Sequence, residues 1–420
     1  MNIMEPGRLV AKSTDVPSTD LPPVTMGIVG TGYVASFYAG TLAGHKTLRL
    51  AGGYDINPRN LAAFSRQWNV RTYGSLEEIL NDPQIELILN LTDPRSHYTV
   101  SKACLEAGKH VYSEKPLGMT LDEAKTLVAL AEQKNVLLAS APCNMLSATA
   151  QTIWKAIQDG VVGKIRLVYA NFDDGLVGPA MAPWTWFNKC GLQWPAKDEF
   201  EVGCTYIHAG YVLTWLAAFF GPARTVTAFS SCQIPDKGVP VDSMAPDFSV
   251  GCIEYDDNVV ARVTCGLVAP RDKSLTIVGD DGVIFTNTVR NDSGAVYVRR
   301  IPSQGRLGGV ERRLNRALSW LEKRSPYALW GTNSLHVSRK LPFARTPSNN
   351  IVGIGKEVDF NLGPAEMAEA IRLGRPCRLS PQLGLHLVEL IEVLQYPERF
   401  GGKRKIESTF DPIQPLPWIS

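Results

Sequence analysis

The chain has 420 residues, long enough for two domains by ordinary size arguments. It is 45% hydrophobic and 20% charged with a formal net charge of +2, a globular balance with no electrostatic case for nucleic acid or an acidic membrane surface. Its eight cysteines form no CxxC pair and no cluster with histidine, which argues for reduced thiols in a cytoplasmic protein and against a metal site.

Residues 1–23 are polar and proline-containing, without an apolar leader, and read as a flexible arm. From there to about residue 145 strands and helices alternate. "VTMGIVG" is a short strand ending in glycine, and "YVASFYAGTLAG" has helical spacing. "LRLAGGYD" is a second strand, followed by a helix with Asn57 as cap and Pro58 at its first position. "IELILNLT" is a buried strand, "HYTVSKACLEAG" a helix and "KHVYSE" another strand. Thr120 and Glu123 open the next helix with a capping box. This alternation predicts an α/β domain, residues 24–145, with a doubly wound parallel sheet.

Beyond it strand-like alternation dominates: "IRLVYANF", "RTVTAFSS", "FSVGCIEYDDNVVARVTCGLV", "SLTIVGDDGVIFTN" and "AVYVRR". The spacing predicts an α+β domain over 146–420, an open, mostly antiparallel sheet backed by helices. "AGYVLTWLAAFFG" is too short to span a bilayer and reads as a buried helix. Residues 299–350 form an arginine-rich insertion with a basic helix in "ERRLNRALSWLEKR"; it is a solvated face, or a contact for a substrate phosphate or a neighbouring subunit. Two amphipathic helices near the C-terminus can pack back on the first domain.

The glycine loop Gly30-Thr31-Gly32-Tyr33-Val34-Ala35 follows a strand and opens a helix, where backbone amides and a helix N-terminus suit a pyrophosphate. Asp55 ends the second strand, the place of a carboxylate that accepts adenosine-ribose hydroxyls. Together they predict NAD, with NADP disfavoured because Asp55 repels a 2′-phosphate; Arg59 nearby softens that preference or is a plain surface arginine. Thr92 and Pro94 follow the buried strand and should lie near the nicotinamide. His97 either packs structurally or sits beside the cofactor.

In "HVYSEKPLG", Lys115 falls at a strand end on the same sheet edge as the glycine loop. It is a solvated loop lysine, or a proton donor and acceptor for a substrate hydroxyl with Glu114 orienting its ammonium.

The glycine loop, Asp55, "LTDP" with His97, "AGKHVYSEKPL" and the domain order together resemble the Gfo/Idh/MocA family (glucose–fructose oxidoreductase, inositol dehydrogenase). That resemblance implies a Rossmann domain and NAD(P)-dependent oxidation or reduction of a secondary alcohol on a sugar, cyclitol or nucleotide sugar. It also implies Lys115 in proton transfer, a cis Lys115–Pro116 bond, and a homodimer or homotetramer formed through the second sheet. The family's second catalytic element is a helix reading Asp-x-x-x-His. Here the matching positions hold Ile207 and Tyr211, with His208 on the same face. Tyr211 and His208 are proton-transfer candidates or packing residues, and Ile207 makes one pocket wall apolar. Trp184 and Trp186, in an aromatic loop, are candidates to stack on a sugar face or a nucleotide base, or to pack in the core or a dimer contact. Besides a dehydrogenase, a redox-neutral NAD-dependent glycosidase and a non-catalytic NAD-sensing regulator remain as alternatives.

Overall fold

Side-chain caps set where several helices begin. Asn57 accepts from the Arg59 amide at 3.0 Å to start Pro58–Trp68, and Ser75 accepts from Glu78 at 3.0 Å to start Leu76–Asn81. Thr120 accepts from the Glu123 amide at 3.2 Å to start Leu121–Lys134, while the Glu123 carboxylate reaches back to the Met119 amide at 2.7 Å. Each cap satisfies an amide that the helix leaves without an internal partner, a contribution of about 1 kcal/mol.

The computed structural model describes residues 21–300, 338–345 and 358–418, with Arg313, Arg316 and Ala317. Apart from those three positions, the basic helix in the insertion lies outside the described residues, as does the arm up to residue 20.

The first sheet holds β1 (Val24–Val29), β2 (Leu48–Tyr54), β3 (Arg71–Thr72), β4 (Leu87–Asn90), β5 (His110–Ser113) and β6 (Leu138–Ser140), in the order β3-β2-β1-β4-β5-β6. All its pairings are parallel. β1 and β4 are buried throughout, as strands covered on both faces must be. The order reverses between β1 and β4, and a crevice opens there beyond the strand ends.

The second sheet has nine strands: β7 (Ile165–Asp173), β8 (Thr225–Ser231), β9 (Phe248–Glu254), β10 (Val260–Gly266), β11 (Leu275–Gly279), β12 (Gly282–Thr286), β13 (Val296–Arg300), β14 (Arg339–Lys340) and β15 (Lys403–Lys405). β7 pairs parallel with β10, and every other pairing is antiparallel. "YDDN" closes the hairpin of β9 and β10 through a short 3-10 turn. Inward side chains alternate with outward ones in β11 and β12. The inner face packs on the helix Cys204–Phe220, which is buried along most of its length and contains the apolar run seen in the sequence. On the outer face Leu167, Tyr169 and Phe229 stay 39%, 38% and 57% exposed. Among the described residues no single helix is long and apolar enough to cross a membrane.

The two C-terminal helices join the sheets. Leu362–Leu373 packs on β1, β2 and β5; Pro381–Gln395 packs on β6 and Leu121–Lys134, and also on β8 and β9. The mouth of the first sheet is thereby held against the end of β7.

Candidate active site

A cavity of about 780 Å³ lies between the C-terminal edge of the first sheet and the end of β7. One wall is built from strand-end loops of the first sheet. Gly30 has φ +89°, and a Cβ there would stand 2.6 Å from the Leu91 carbonyl carbon and the Thr92 amide, so only glycine lets β1 turn against β4. Gly32 differs: its Cβ would meet nothing within 4 Å and would project into open space beside the cavity. Tyr33 and Val34 continue this wall. Thr31 is fully buried behind it, and its amide and hydroxyl donate to Asp55 Oδ2 at 2.6 and 3.1 Å. Asp55 Oδ1 accepts from the Asn57 amide at 2.7 Å. The carboxylate thus locks the loop while lining the cavity, and its remaining lone pairs are free to accept from hydroxyls.

Thr92 and Pro94 line the next stretch. Thr92 donates to Asn90 Oδ1 at 2.7 Å, and the amide of the Asn90 side chain donates to His97 O and Ser101 Oγ. His97 is 1% exposed, with Nδ1 2.7 Å from Pro116 O and Nε2 3.1 Å from Thr92 O. Burial holds its pKa below the ordinary histidine value. Its ring fastens the Thr92 loop to the Lys115–Pro116 turn, whose peptide bond is cis, and it also touches the cavity.

Lys115 projects from that turn into the cavity. Glu114 does not orient its ammonium group. Its Oε1 accepts from the Tyr38 hydroxyl at 2.7 Å and its Oε2 from the Lys115 backbone amide at 3.1 Å. The acid therefore holds the backbone of the turn, because Tyr38 comes within reach from the helix Ala35–Thr41.

The opposite wall comes from the second domain. Ile207, His208 and Tyr211 all face the cavity from one side of the helix Cys204–Phe220, as positions three and four apart must. Tyr211 stacks on Phe172 at 5.2 Å, and the Arg290 guanidinium sits 5.3 Å from its ring centre. Burial raises the phenol's pKa, against the pull of Arg290 and Lys115. His208 stacks on Phe172 at 5.1 Å and points Nε2 at Asp174 Oδ2, 3.3 Å away. Burial pushes His208 down to about 3, so the ring is neutral, and its Nδ1 is buried without a partner.

Asp174, one residue past β7, was not anticipated. Lys273 donates to its carboxylate and Arg271 stands 3.6 Å away. Burial works against its charge, yet the charges of Lys273 and Arg290 hold its carboxyl well below the usual range. Burial in turn lowers Lys273 to about 8. Glu199, from the short helix Ala196–Val202, is a second unanticipated acid: burial pushes it up to about 7, opposed chiefly by Lys115.

Two models of one family match the chain. "Oxidoreductase family, NAD-binding Rossmann fold" covers residues 24–141 and "GFO/IDH/MocA C-terminal domain" covers 150–285. The chain belongs to the Gfo/Idh/MocA oxidoreductase family. It is 28% identical over 209 residues to the scyllo-inositol 2-dehydrogenase (NADP(+)) of Bacillus subtilis, a match spanning 49% of this chain and 54% of that protein. It is 29% identical over 264 residues to the trans-1,2-dihydrobenzene-1,2-diol dehydrogenase of Mus musculus, spanning 61% and 72% of the two chains. A levoglucosan dehydrogenase solved with NADH and L-sorbose shares the fold with a TM-score of 0.70 at 18% identity, over 92% of this chain and 100% of that one.

Within this Gfo/Idh/MocA chain, two expected site residues are placed differently, while Ile207 lines the cavity as expected. Arg59 is exposed on the first turn of Pro58–Trp68, off the cavity wall, because the helix starts by turning that position outward. Trp184 packs over Gly238, whose Cβ would stand 2.9 Å from its ring, while Trp186 and Trp194 reach the cavity. The Phe187–Gln193 bridge folds the aromatic loop back on itself and brings Trp194 beside Trp186 at 5.4 Å. The isoleucine at 207 does not strip the pocket of carboxylates, since Asp174 and Glu199 line it from other elements.

Proposed function

We propose that the protein oxidises a secondary alcohol of a polyhydroxylated, sugar-like substrate, or reduces the matching ketone, with Lys115 and Tyr211 handling the hydroxyl proton. One observation carries this reading: the glycine-loop wall and the Lys115–Tyr211 wall belong to a single cavity. The residues present fit a dinucleotide. Gly32 leaves the backbone open where a pyrophosphate would approach, and Asp55 faces the cavity at the ribose end. Bound NAD supplies the hydride acceptor at one face of the substrate carbon. The chain's residues do the rest. Lys115 holds the reacting hydroxyl, whose proton passes to its amine in the neutral form as hydride leaves carbon, and Tyr211 shares that proton from across the cavity. Asp174, anchored by Lys273, keeps the neutral His208 ring oriented beside them. Trp186 and Trp194 offer faces for the C–H side of a sugar ring. The Asp55 carboxylate favours NAD over NADP.

A screen of sugars, cyclitols and nucleotide sugars for NADH formation tests this. Lys115→Ala should lower turnover on the active compound by roughly 10²–10⁴ while NAD still binds. Normal turnover by that variant would remove Lys115 from the mechanism. The same reading includes assembly of copies through the outer face of the second sheet, where Leu167, Tyr169 and Phe229 lie in water. Light scattering at micromolar concentration should then report a dimer or tetramer, and a monomer refutes it.

A further inference from the structure

At the substrate end of the cavity the charges do not balance pair by pair. Asp174 is fully engaged: Lys273 donates to it, His208 Nε2 stands 3.3 Å away and Arg271 3.6 Å away. Glu114 is engaged by the Tyr38 hydroxyl and the Lys115 amide. Two cations that line the cavity, Lys115 and Arg290, have no carboxylate within 4.0 Å among the described residues. Lys115 is assigned to the reacting hydroxyl. Arg290 is left over.

Its surroundings make that conspicuous. The guanidinium lies 5.3 Å from the ring centre of Tyr211, and its only hydrogen bond among the described residues is a backbone one, from its amide to Thr288 Oγ1 at 3.2 Å. A cation–π contact uses the face of the guanidinium and leaves its five N–H donors idle. A half-buried fork of idle donors suits a planar or tetrahedral oxyanion, which it can bind through two parallel hydrogen bonds.

We propose that the substrate carries an anionic substituent, a carboxylate or a phosphate, held by Arg290 beside the carbon chain whose hydroxyl faces Lys115 and Tyr211. This rests on the alcohol-oxidising reading above and narrows it from sugar-like compounds to acidic ones. The contact adds binding and orientation only; hydride and proton move as already described.

The rival explanation is that Arg290 merely props the Tyr211 ring, and the two separate on charge-matched probes. Titration calorimetry of the NAD-loaded protein would use three pairs: D-gluconate against D-glucitol, D-glucuronate against D-glucose, and D-glucose 6-phosphate against D-glucose. At least one anionic member should bind roughly 10- to 100-fold tighter than its neutral partner, the scale of a charge-assisted bidentate contact. The first two pairs against the third tell carboxylate from phosphate. Arg290→Leu should erase that preference, and Arg290→Lys should keep part of it, with NAD titration and Tm checking that each variant is folded. Turnover of the same compounds is read in parallel. Failure to form NADH from any of them counts against the dehydrogenase reading, whereas the binding ratio alone decides the anion site. If no anionic probe outbinds its neutral partner, or Arg290→Leu weakens both members by the same factor, the proposal is overturned.

Discussion

The cofactor wall and the substrate wall of the cavity are built in opposite ways. The first is made of short loops at consecutive strand ends, each held by bonds to its own neighbourhood: Asp55 to Thr31 and Asn57, Thr92 to Asn90, Glu114 to Lys115. The second gathers Asp174, Glu199, Tyr211, Lys273 and Arg290 from separate segments around a shared charge cluster. The first wall is set mainly by backbone geometry and tolerates little change at its glycines. The second is set by electrostatics, and its properties move with protonation.

The sharpest break in that contrast lies inside the glycine loop. Gly32→Leu fills open space, so the fold should keep its Tm while NAD affinity falls by at least 100-fold in fluorescence titration. Gly30→Ala meets backbone at 2.6 Å with φ at +89°, so it should lower stability by roughly 1–3 kcal/mol in urea unfolding. If the two variants behave alike, geometry does not distinguish the roles of these glycines.

A smaller effect is expected at Asp55. Asp55→Ala removes the carboxylate proposed to accept from the ribose hydroxyls, so the ratio of NAD to NADP affinity should shrink by about tenfold, the value of one charge-assisted hydrogen bond. Equal affinities in the unmodified protein would show that Asp55 does not set the preference.

The smallest effect concerns the substrate wall. Glu199, raised to about 7 by burial, is ionised above that pH and protonated below it. Above that pH the ionised Glu199 can accept a proton released at the substrate end of the cavity, so kcat for alcohol oxidation should rise by a few-fold as pH passes upward through about 7. Glu199→Gln should flatten that limb in pH–rate profiles. An unchanged profile would mean the limb belongs to another group.

This difference in construction also explains what could be read beforehand. Gly30, Gly32, Asp55 and Lys115 sit in contiguous motifs whose spacing is dictated by strand and helix lengths, so their shared edge followed from alternation alone. Asp174 lies in "NFDDG", where a carboxylate at the end of an alternating strand looks like any turn residue until β7 is placed against the first sheet. Arg290 follows β12 in a turn with no periodicity to mark it. Glu114 was legible as a neighbour of Lys115 but not as the partner of Tyr38, which lies 76 residues earlier in the chain. Among the tryptophans, only the Phe187–Gln193 bridge decides that Trp194, and not Trp184, reaches the cavity.

The packing of the last two helices bears on how the chain is made. Leu362–Leu373 and Pro381–Gln395 cover part of the first sheet, and Gly363 fits so closely that a Cβ would stand 2.3 Å from the Tyr112 hydroxyl. Arg372 ties the end of one of these helices to Glu86 at 2.6 Å and to the Pro22 and Pro23 carbonyls just before β1. Strands of the first sheet are therefore capped by helices that lie far downstream in the same chain. During synthesis the nascent first sheet must wait with an apolar flank uncovered until those helices emerge.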